Sequence, residues 1–316
     1  MLNEVIRITY YCNLKCNFCN IIETNNFEKN ITKDEIINNI ILKAKKNKTD
    51  LKNTVLTFSG GEPLLNKNIE KYIKMAQKIG FGGIELQTNG IILFKKKEKI
   101  NSLINNGLDM LFIGQHSHDE NINNKMGTNL NKEEFIEWFN YIRKNNIHKK
   151  LKITINIVIT KNNIYNTKHF IQFLIDHDII DLLFQRELNI GLVFPNGYAR
   201  ENRREVLLDF SSKQVKEIKK IVSLCERNNI DINFHFSAPP FCIIDLSKYS
   251  DEYKSLINNK SFTTNTEHIL EDKQKLSFCK KCKFNDYCHG FNKKFLEYIG
   301  GKEKIKKILH NKSIFK

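Results

Sequence analysis

Strand-like and helix-like segments alternate along the first 236 residues, and this alternation restricts the chain to few folds. Six apolar segments have the length and composition of buried strands: 5–9, 54–58, 83–87, 109–113, 152–160 and 189–194. Six further segments have helical periodicity: 33–46, 67–79, 95–106, 131–146, 165–177 and 212–228. Alternating units of this kind form a parallel sheet with right-handed crossovers. We therefore predict an α/β fold, either an open doubly wound sheet or a partial barrel.

The alternation stops at SAPPFC, residues 237–242, where two prolines break the pattern. We predict a core domain over residues 1–236 and a small cysteine-rich domain over residues 237–316. The chain of 316 residues is long enough for both and can enclose a cavity. No targeting signal opens the sequence, and no segment approaches eighteen uncharged apolar residues. We expect a cytoplasmic protein without a membrane span.

The net charge of +16 raises the question of an anionic partner. Lysines occur in nearly every predicted helix, so most of the charge is expected to be solvated surface. Residues 273–316 differ, because they carry thirteen lysines and only three acidic residues. This tail could contact an acidic peptide, an acidic protein or RNA, although a solubilising surface is the simpler explanation.

Functional groups of parallel α/β folds lie on the loops that follow the C-terminal ends of the strands. Four such loops carry polar, small or sulfur-containing residues, and we predict that all four open on the same rim. They contain Cys12, Cys16 and Cys19; Ser59, Gly60, Gly61, Glu62 and Pro63; Thr88, Asn89 and Gly90; and Gln115, His116, Ser117 and His118. The two histidines are also consistent with ordinary loop positions.

Eight cysteines in close groups indicate metal or redox chemistry in a reducing compartment. Cys12, Cys16 and Cys19 have the spacing Cys-x3-Cys-x2-Cys. Three thiolates so close together can each bind a different iron of a cubane cluster, which leaves the fourth iron open to substrate. A structural zinc is the alternative, and it would need a ligand from a distant part of the sequence.

Three motifs together resemble the radical S-adenosylmethionine (radical SAM) enzymes. They are CNLKCNFC at 12–19, FSGGEPLL at 58–65 and QTNG at 87–90. The match covers most of residues 1–200 in order and spacing, and the combination is specific. The resemblance implies a partial (β/α)6 TIM-type barrel and a [4Fe-4S] cluster on the three cysteines. It further implies that SAM binds the open iron and that ferredoxin or flavodoxin supplies electrons.

The same resemblance implies roles for single residues. Gly60 and Gly61 would let the backbone approach a ligand, although a tight turn explains the pair taken alone. Glu62 would accept a hydrogen bond from the ammonium group of SAM. In this family a 5′-deoxyadenosyl radical abstracts a hydrogen atom from the substrate, while the protein orients the substrate and excludes solvent. Further implied contacts, to the adenosine part of SAM, are Phe18, Asn89, Ser117 and Asn156.

A second cysteine group lies near the C-terminus and comprises Cys242, Cys279, Cys282 and Cys288. Four thiolates would fully ligate a second cluster, whereas two of the spacings also fit zinc. The group resembles the twitch and SPASM auxiliary-cluster extensions of radical SAM enzymes, with too few cysteines for the two clusters of a full SPASM domain. This resemblance implies one auxiliary [4Fe-4S] cluster, with zinc as the alternative.

Two further features allow more than one interpretation. Cys225 lies on the apolar face of a predicted helix, which indicates a buried and inert thiol. The alternative is a hydrogen-atom donor, as in peptide epimerases of the superfamily. The segment PNGYARENRR at 195–204 could place Arg200, Arg203 or Arg204 near a carboxylate or a peptide backbone, or could form a solvated turn.

The resemblance also directs the choice of substrate. Radical SAM enzymes with auxiliary clusters often modify ribosomally made peptides or protein side chains, and a cationic surface suits an acidic leader peptide. The first strand begins so close to Met1 that we expect no preceding peptide-recognition domain; a separate recognition protein would then be needed. We predict a peptide-modifying oxidoreductase. The alternatives are an enzyme acting on a sugar, nucleoside or cofactor precursor, and a non-catalytic metal-cluster protein that binds RNA.

Overall fold

The main sheet consists of parallel strands that follow one another in chain order. The computed structural model describes residues 2–21, 31–233, 240, 273–282, 285, 288 and 290–298. The strands are β1 Leu2–Arg7, β2 Thr54–Ser59, β3 Gly83–Thr88, β4 Met110–Gly114, β5 Lys152–Ile159, β6 Glu187–Leu192 and β7 Asp231–Asn233. Each strand pairs in parallel with the next one. A doubly wound sheet would reverse its strand order at one point, so the fold is a partial barrel.

Helices connect these strands and cover the outside of the sheet. They are α1 Lys33–Lys46, α2 Ile69–Ile79, α3 Ile91–Lys95, α4 Lys99–Asn105, α5 Glu120–Met126, α6 Lys132–Lys144, α7 Thr167–Asp176, α8 Gly197–Glu201, α9 Arg203–Val206 and α10 Ser212–Arg227. The sequence encodes their starts locally. Thr32 and Glu35 form a reciprocal capping box before α1, and Asn131 caps α6 through the backbone N–H of Glu134.

Several elements differ from the sequence-based prediction. The predicted helix 95–106 is confirmed over Lys99–Asn105 as α4, but a separate helix, α3, ends at Lys95, and Lys96 leaves helical geometry between the two helices. The first of these, α3, packs Phe94 edge-on against Phe135 and Trp138 of α6. Helix α5 and the short strand β7 were not predicted. Their lengths of seven and three residues give too few periods for a sequence pattern.

Alternation along the strands separates an apolar outer face from a polar interior. On β2, Leu56 and Phe58 are fully buried against the helices. The intervening positions point to the inside of the barrel, as expected for a period of two. On β3 these inward positions are polar: the side-chain amide Nε2 of Gln87 donates to Glu85 Oε1 at 3.1 Å. Burial raises the pKa of the Glu85 carboxyl.

The described C-terminal part packs on the barrel near the end of β6. Strands β8 Lys273–Gln274 and β9 Phe291–Asn292 form an antiparallel pair, and the helix Lys293–Tyr298 follows. In that helix Phe295 packs against Phe210 at a ring distance of 5.3 Å. The domain boundary after residue 236 stays a prediction. Within the described ranges, no helix combines the length and the apolar character needed to cross a membrane.

Candidate active site

A cavity of about 670 Å³ lies at the C-terminal ends of the strands. Residues from all four predicted rim loops line it, which confirms that these loops meet at one place. Its wall contains Cys16, Phe18 and Cys19 from the first loop, Ser59, Gly60 and Gly61 from the second, Thr88 and Asn89 from the third, and Gln115 and His116 from the fourth. Asn156 and Asn189 contribute from β5 and β6.

The glycine pair brings the second loop into direct contact with the first. The backbone N–H of Gly61 donates to the carbonyl of Thr9 at 2.8 Å, and that of Glu62 donates to Tyr11 at 2.7 Å. A Cβ on Gly61 would lie 2.2 Å from the Tyr11 oxygen, and one on Gly60 would lie 2.2 Å from the Thr9 oxygen. Both glycines are therefore required for the close approach of two backbones, in addition to lining the cavity.

Helices α5 and α8 hold the other side of the cysteine loop. The backbone N–H groups of Lys15 and Asn17 donate to Gly127 and Met126 at 3.1 and 2.9 Å. Asn202 Nδ2 donates to the carbonyl of Asn17 at 2.9 Å from a position 185 residues away in sequence. These bonds fix the loop at its middle, between the first and third cysteines.

Glu62 is fully buried beside the cavity and connects the second and third loops. Its Oε1 accepts from Leu64 N at 3.0 Å and from the Thr88 hydroxyl at 2.7 Å, while its Oε2 accepts from Asn89 N at 2.8 Å. Burial raises the pKa of this carboxyl, and the three hydrogen bonds oppose that rise. The structure thus gives Glu62 a positioning role, and its contact with SAM stays a prediction.

Among the three cysteines, Cys12 has contacts typical of a thiolate ligand. Cys12 Sγ accepts hydrogen bonds from Leu14 N at 3.4 Å and from Asn89 Nδ2 at 3.9 Å, contacts that stabilise a negative sulfur. Burial raises the pKa of the Cys16 thiol, and the adjacent Cys19 and Cys12 raise it further. Iron would reverse this rise, because a metal cation stabilises the thiolate. No His, Cys, Asp or Glu group in the described residues is arranged to hold a single metal ion. A cubane cluster differs because each thiolate binds its own iron, and the residues fit this group.

His116 is a neutral hydrogen-bond donor on the cavity wall. Its Nδ1 accepts from the backbone N–H of Val158 at 3.1 Å, which places the ring proton on Nε2. Burial lowers the pKa of His116 to about 4. Its ring packs edge-on against Phe18, with centroids 4.9 Å apart. Phe18 and His116 therefore form a rigid, uncharged part of the wall.

Comparison with known proteins identifies the family. The model of the radical SAM superfamily matches residues 6–174, which is more than half of the chain. The chain belongs to the radical SAM superfamily. This membership confirms the resemblance drawn from the motifs and the expected cofactors of the barrel, a [4Fe-4S] cluster and SAM. Cys12, Cys16 and Cys19 are the residues that would hold the cluster at this cavity.

Similar proteins of different activity lie within this superfamily. GTP 3′,8-cyclase of Aquifex aeolicus is 32% identical over 196 residues, which are 60% of this chain and 54% of that protein. PqqA peptide cyclase of Bradyrhizobium diazoefficiens is 25% identical over 229 residues, 69% of this chain and 55% of that protein. The chain thus spans about half the length of the curated relatives it matches. The solved structure of native anSMEcpe with bound AdoMet and Cp18Cys peptide is 16% identical, with a TM-score of 0.59 and coverage of 98% of this chain and 99% of that one.

Several predicted residues of this radical SAM chain do not line the cavity. The Ser117 hydroxyl is fully buried and donates to Asn166 Oδ1 at 2.9 Å. Cys225 is fully buried on α10, and burial raises its pKa to about 12. His118 stacks on Phe173 with centroids 4.8 Å apart. Ser117 as a SAM contact and Cys225 as a hydrogen donor stay predictions that this placement does not support.

The arginines of the segment 195–204 also lie outside the cavity wall. This segment forms α8 and the start of α9 rather than an irregular turn. The guanidinium of Arg203 lies 5.1 Å from the ring centre of Tyr298 in the C-terminal helix. Arg200 and Arg204 are exposed. The segment connects the cysteine loop with the C-terminal part of the chain.

Three cysteines of the second group lie close together in the described part of the chain. Cys279, Cys282 and Cys288 line one small pocket with Phe278 and Phe291. Cys279 Sγ accepts from Leu276 N at 3.3 Å, and Cys288 Sγ accepts from Gly290 N at 3.4 Å. Two of the three sulfurs thus accept from backbone N–H groups, and the auxiliary iron-sulfur cluster, with zinc as its alternative, stays a prediction. The predicted fourth ligand, Cys242, lies outside the described residues.

The sequence reasoning assigned no role to several residues of the cavity wall, among them Asn189, and it named Gln87 only within the QTNG motif. Gln87 and Asn189 both occupy inward-facing positions of buried strands. A polar residue at every second position of a buried parallel strand is the signal that could have identified them, because such strands are usually apolar throughout.

Proposed function

We propose that this protein is a radical SAM enzyme that modifies a peptide or a protein side chain. In such an enzyme, one-electron cleavage of SAM supplies a 5′-deoxyadenosyl radical that takes a hydrogen atom from the substrate. The residues of the chain bind SAM beside Cys12, Cys16 and Cys19, keep water away and orient the abstracted hydrogen. The choice of a peptide substrate rests on the chemistry of the cavity wall.

The described cavity wall is rich in carboxamides and contains no Asp, Glu, Lys or Arg. Its amide side chains are Asn20, Gln87, Asn89, Gln115, Asn129, Asn156, Asn189 and Asn196. A carboxamide both donates and accepts hydrogen bonds, as a peptide group does. A nucleoside triphosphate carries several negative charges, and proteins usually bind phosphates with Arg, Lys or metal ions. The wall therefore suits a neutral peptide better than a triphosphate.

The comparisons agree with this proposal without deciding it. One curated relative is a peptide cyclase, and the solved structure with similar extent has a bound peptide beside AdoMet. We further propose that the second cysteine group holds one auxiliary [4Fe-4S] cluster, and that ferredoxin or flavodoxin reduces the enzyme. A cytoplasmic location, where thiols stay reduced, fits these cofactors.

A small-molecule substrate is the second candidate. It is favoured by the 32% identity to a GTP 3′,8-cyclase, which exceeds the identity to the peptide cyclase. An enzyme of this kind would need cationic groups for the phosphates. The described wall offers none of these, so we rank this candidate second.

Deuterium transfer separates the two substrate classes. The reconstituted enzyme is supplied anaerobically with dithionite, SAM and either a peptide digest of perdeuterated bacterial protein or perdeuterated GTP. Abstraction of deuterium adds one mass unit to 5′-deoxyadenosine, which mass spectrometry detects. We expect label from the peptides and none from GTP. Label from GTP alone would contradict the proposal, as would SAM cleavage that never takes deuterium from peptides.

A further inference from the structure

Three amide side chains on strands β3, β5 and β6 face the cavity. Asn156 of β5 and Asn189 of β6 are register partners, so their side chains point the same way, side by side. Gln87 of β3 faces the same cavity. We call Gln87, Asn156 and Asn189 the amide floor. These residues belong to rigid strands rather than to the rim loops.

Three amides of the rim make hydrogen bonds within the protein. Asn89 Nδ2 donates to Asn13 Oδ1 at 2.8 Å, and Gln115 Nε2 donates to the carbonyl of Asn89 at 2.6 Å. Asn196 Oδ1 accepts from Lys294 Nζ at 2.9 Å. These hydrogen bonds give Asn89, Gln115 and Asn196 structural roles.

Two residues of the amide floor differ, because the side chains of Asn156 and Asn189 have no hydrogen-bond partner among the described residues. Asn189 has 5% of its surface exposed, yet its side chain makes no hydrogen bond to any residue in the described part of the chain. The half-buried Asn156 side chain likewise makes no hydrogen bond to a described residue. Burying an amide without a partner is costly, so such groups are normally hydrogen-bonded to protein, water or ligand. Both amides face the cavity, which leaves its contents as their partner.

Gln87 has a fixed orientation. Its Nε2 donates to Glu85 Oε1 at 3.1 Å, deeper in the barrel, so its carbonyl oxygen is left as an acceptor. No described residue donates to that oxygen. The floor thus combines one oriented acceptor with two carboxamides that can donate and accept.

We propose that the amide floor is a substrate subsite that binds a neutral amide group, either a backbone peptide group or a side-chain carboxamide. This inference rests on the proposed peptide substrate and specifies how that substrate is held. Asn189 is the residue that tests the subsite, since it is the most buried of the three and, unlike Asn156, it has no predicted contact with SAM. By fixing one amide of the peptide on rigid strands, the subsite determines which hydrogen faces the radical.

Two substitutions at Asn189 test this subsite. Asn189→Leu removes the amide at similar volume, and Asn189→Asp keeps the shape but removes the donor. The matched control is Asn233→Leu on β7. Asn233 is the register partner of Asn189, but it donates to Glu187 and is absent from the cavity wall. All variants are prepared as holoenzyme, and circular dichroism checks that they fold.

The readouts are the SAM dissociation constant, total 5′-deoxyadenosine, and its deuterated fraction with the perdeuterated peptide digest. For both Asn189 variants we expect SAM binding within about twofold of wild type and a deuterated fraction lowered about tenfold or more. Asn233→Leu should transfer deuterium like wild type. SAM cleavage that is not coupled to hydrogen abstraction from the peptide should continue in all variants, because the amide floor is assigned to the substrate.

Each other outcome overturns the inference in a distinct way. An unchanged deuterated fraction in both Asn189 variants means that the floor does not hold the peptide, although the proposed function stands. A tenfold loss of SAM affinity would assign Asn189 to SAM instead. If the wild-type enzyme takes no deuterium from peptides, the proposed function fails, and the subsite fails with it.

Discussion

The two cysteine groups of this chain are held in different ways. The loop with Cys12, Cys16 and Cys19 receives hydrogen bonds from residues far away in sequence, among them Asn89 and Asn202. It also lies against the glycine pair of the second loop. Cys279 and Cys288 instead accept their N–H···S bonds from Leu276 and Gly290, three and two residues away.

This difference separates a site made by the tertiary fold from one made by local structure. The first loop opens into a large cavity, so its thiols are fixed while one side remains accessible to SAM and substrate. The second group can form its sulfur contacts from a short segment. Asn202 in the connection between α8 and α9 binds the first loop, while Lys294 and Tyr298 of the C-terminal helix contact Asn196 and Arg203. The segment 196–206 thus contacts both the first cysteine loop and the C-terminal helix Lys293–Tyr298.

The largest effect on activity is expected from removing one cysteine of the first group. Cys16→Ala should abolish SAM cleavage, because one iron loses its ligand and the cluster is not retained. Iron content and 5′-deoxyadenosine are measured after anaerobic reconstitution. Cys225→Ala is the control, since that thiol is fully buried outside the cavity wall. Retained 5′-deoxyadenosine formation by Cys16→Ala would refute the cluster assignment.

Breaking the second group should have a narrower effect. Cys282→Ala is expected to retain SAM cleavage within about tenfold while product formation is lost. The auxiliary centre is removed, but the contacts of the first loop stay intact. Iron and zinc counts on the purified variant show which metal is lost. Unchanged turnover of a peptide substrate would show that the second group is dispensable.

A substitution that separates the two loops should weaken the first group without removing a thiol. Gly61→Ala places a Cβ 2.2 Å from the Tyr11 carbonyl oxygen, so one backbone must move. We expect SAM affinity to fall about tenfold and the iron content to decrease. Gly80→Ala provides the comparison, because its Cβ meets no atom within 4 Å; its φ of +96° adds backbone strain, so any loss of SAM affinity confined to Gly61→Ala comes from the contact with Tyr11. If both variants bind SAM like wild type, the backbone contact does not maintain the site.

The smallest effect concerns the pH dependence of the first region. His116 has a folded-state pKa of about 4, below its ordinary value of 6.5, so protons bind the unfolded chain more readily. The free energy of unfolding should therefore fall as the pH is lowered from 6.5 towards 4. The contribution of this group is at most about 3 kcal/mol over that range. Urea unfolding of metal-free wild type and His116→Gln at pH 7 and pH 5 measures it, and equal losses in both proteins would contradict the assignment.

Much of the site was predictable because its signals are local. The cysteine spacing, the SGGE motif and the helical periodicities are properties of short segments, and they correctly indicated the family, the barrel and the shared rim. Helix α1 has the bounds that its periodicity predicted. The break at Lys96 was not predictable, since it depends on how Phe94 packs against α6.

The sequence by itself determined which residues have the chemistry for a cluster and for SAM, because ligand type and spacing are encoded along the chain. The tertiary structure decided which of them face the cavity. The Ser117 hydroxyl donates a hydrogen bond to Asn166, and the Glu62 carboxylate connects the second and third loops. Asn189 lies in the cavity wall with no hydrogen-bond partner among the described residues, because strand register and alternation place it beside Asn156. Such relations depend on contacts between distant segments, which no local pattern records.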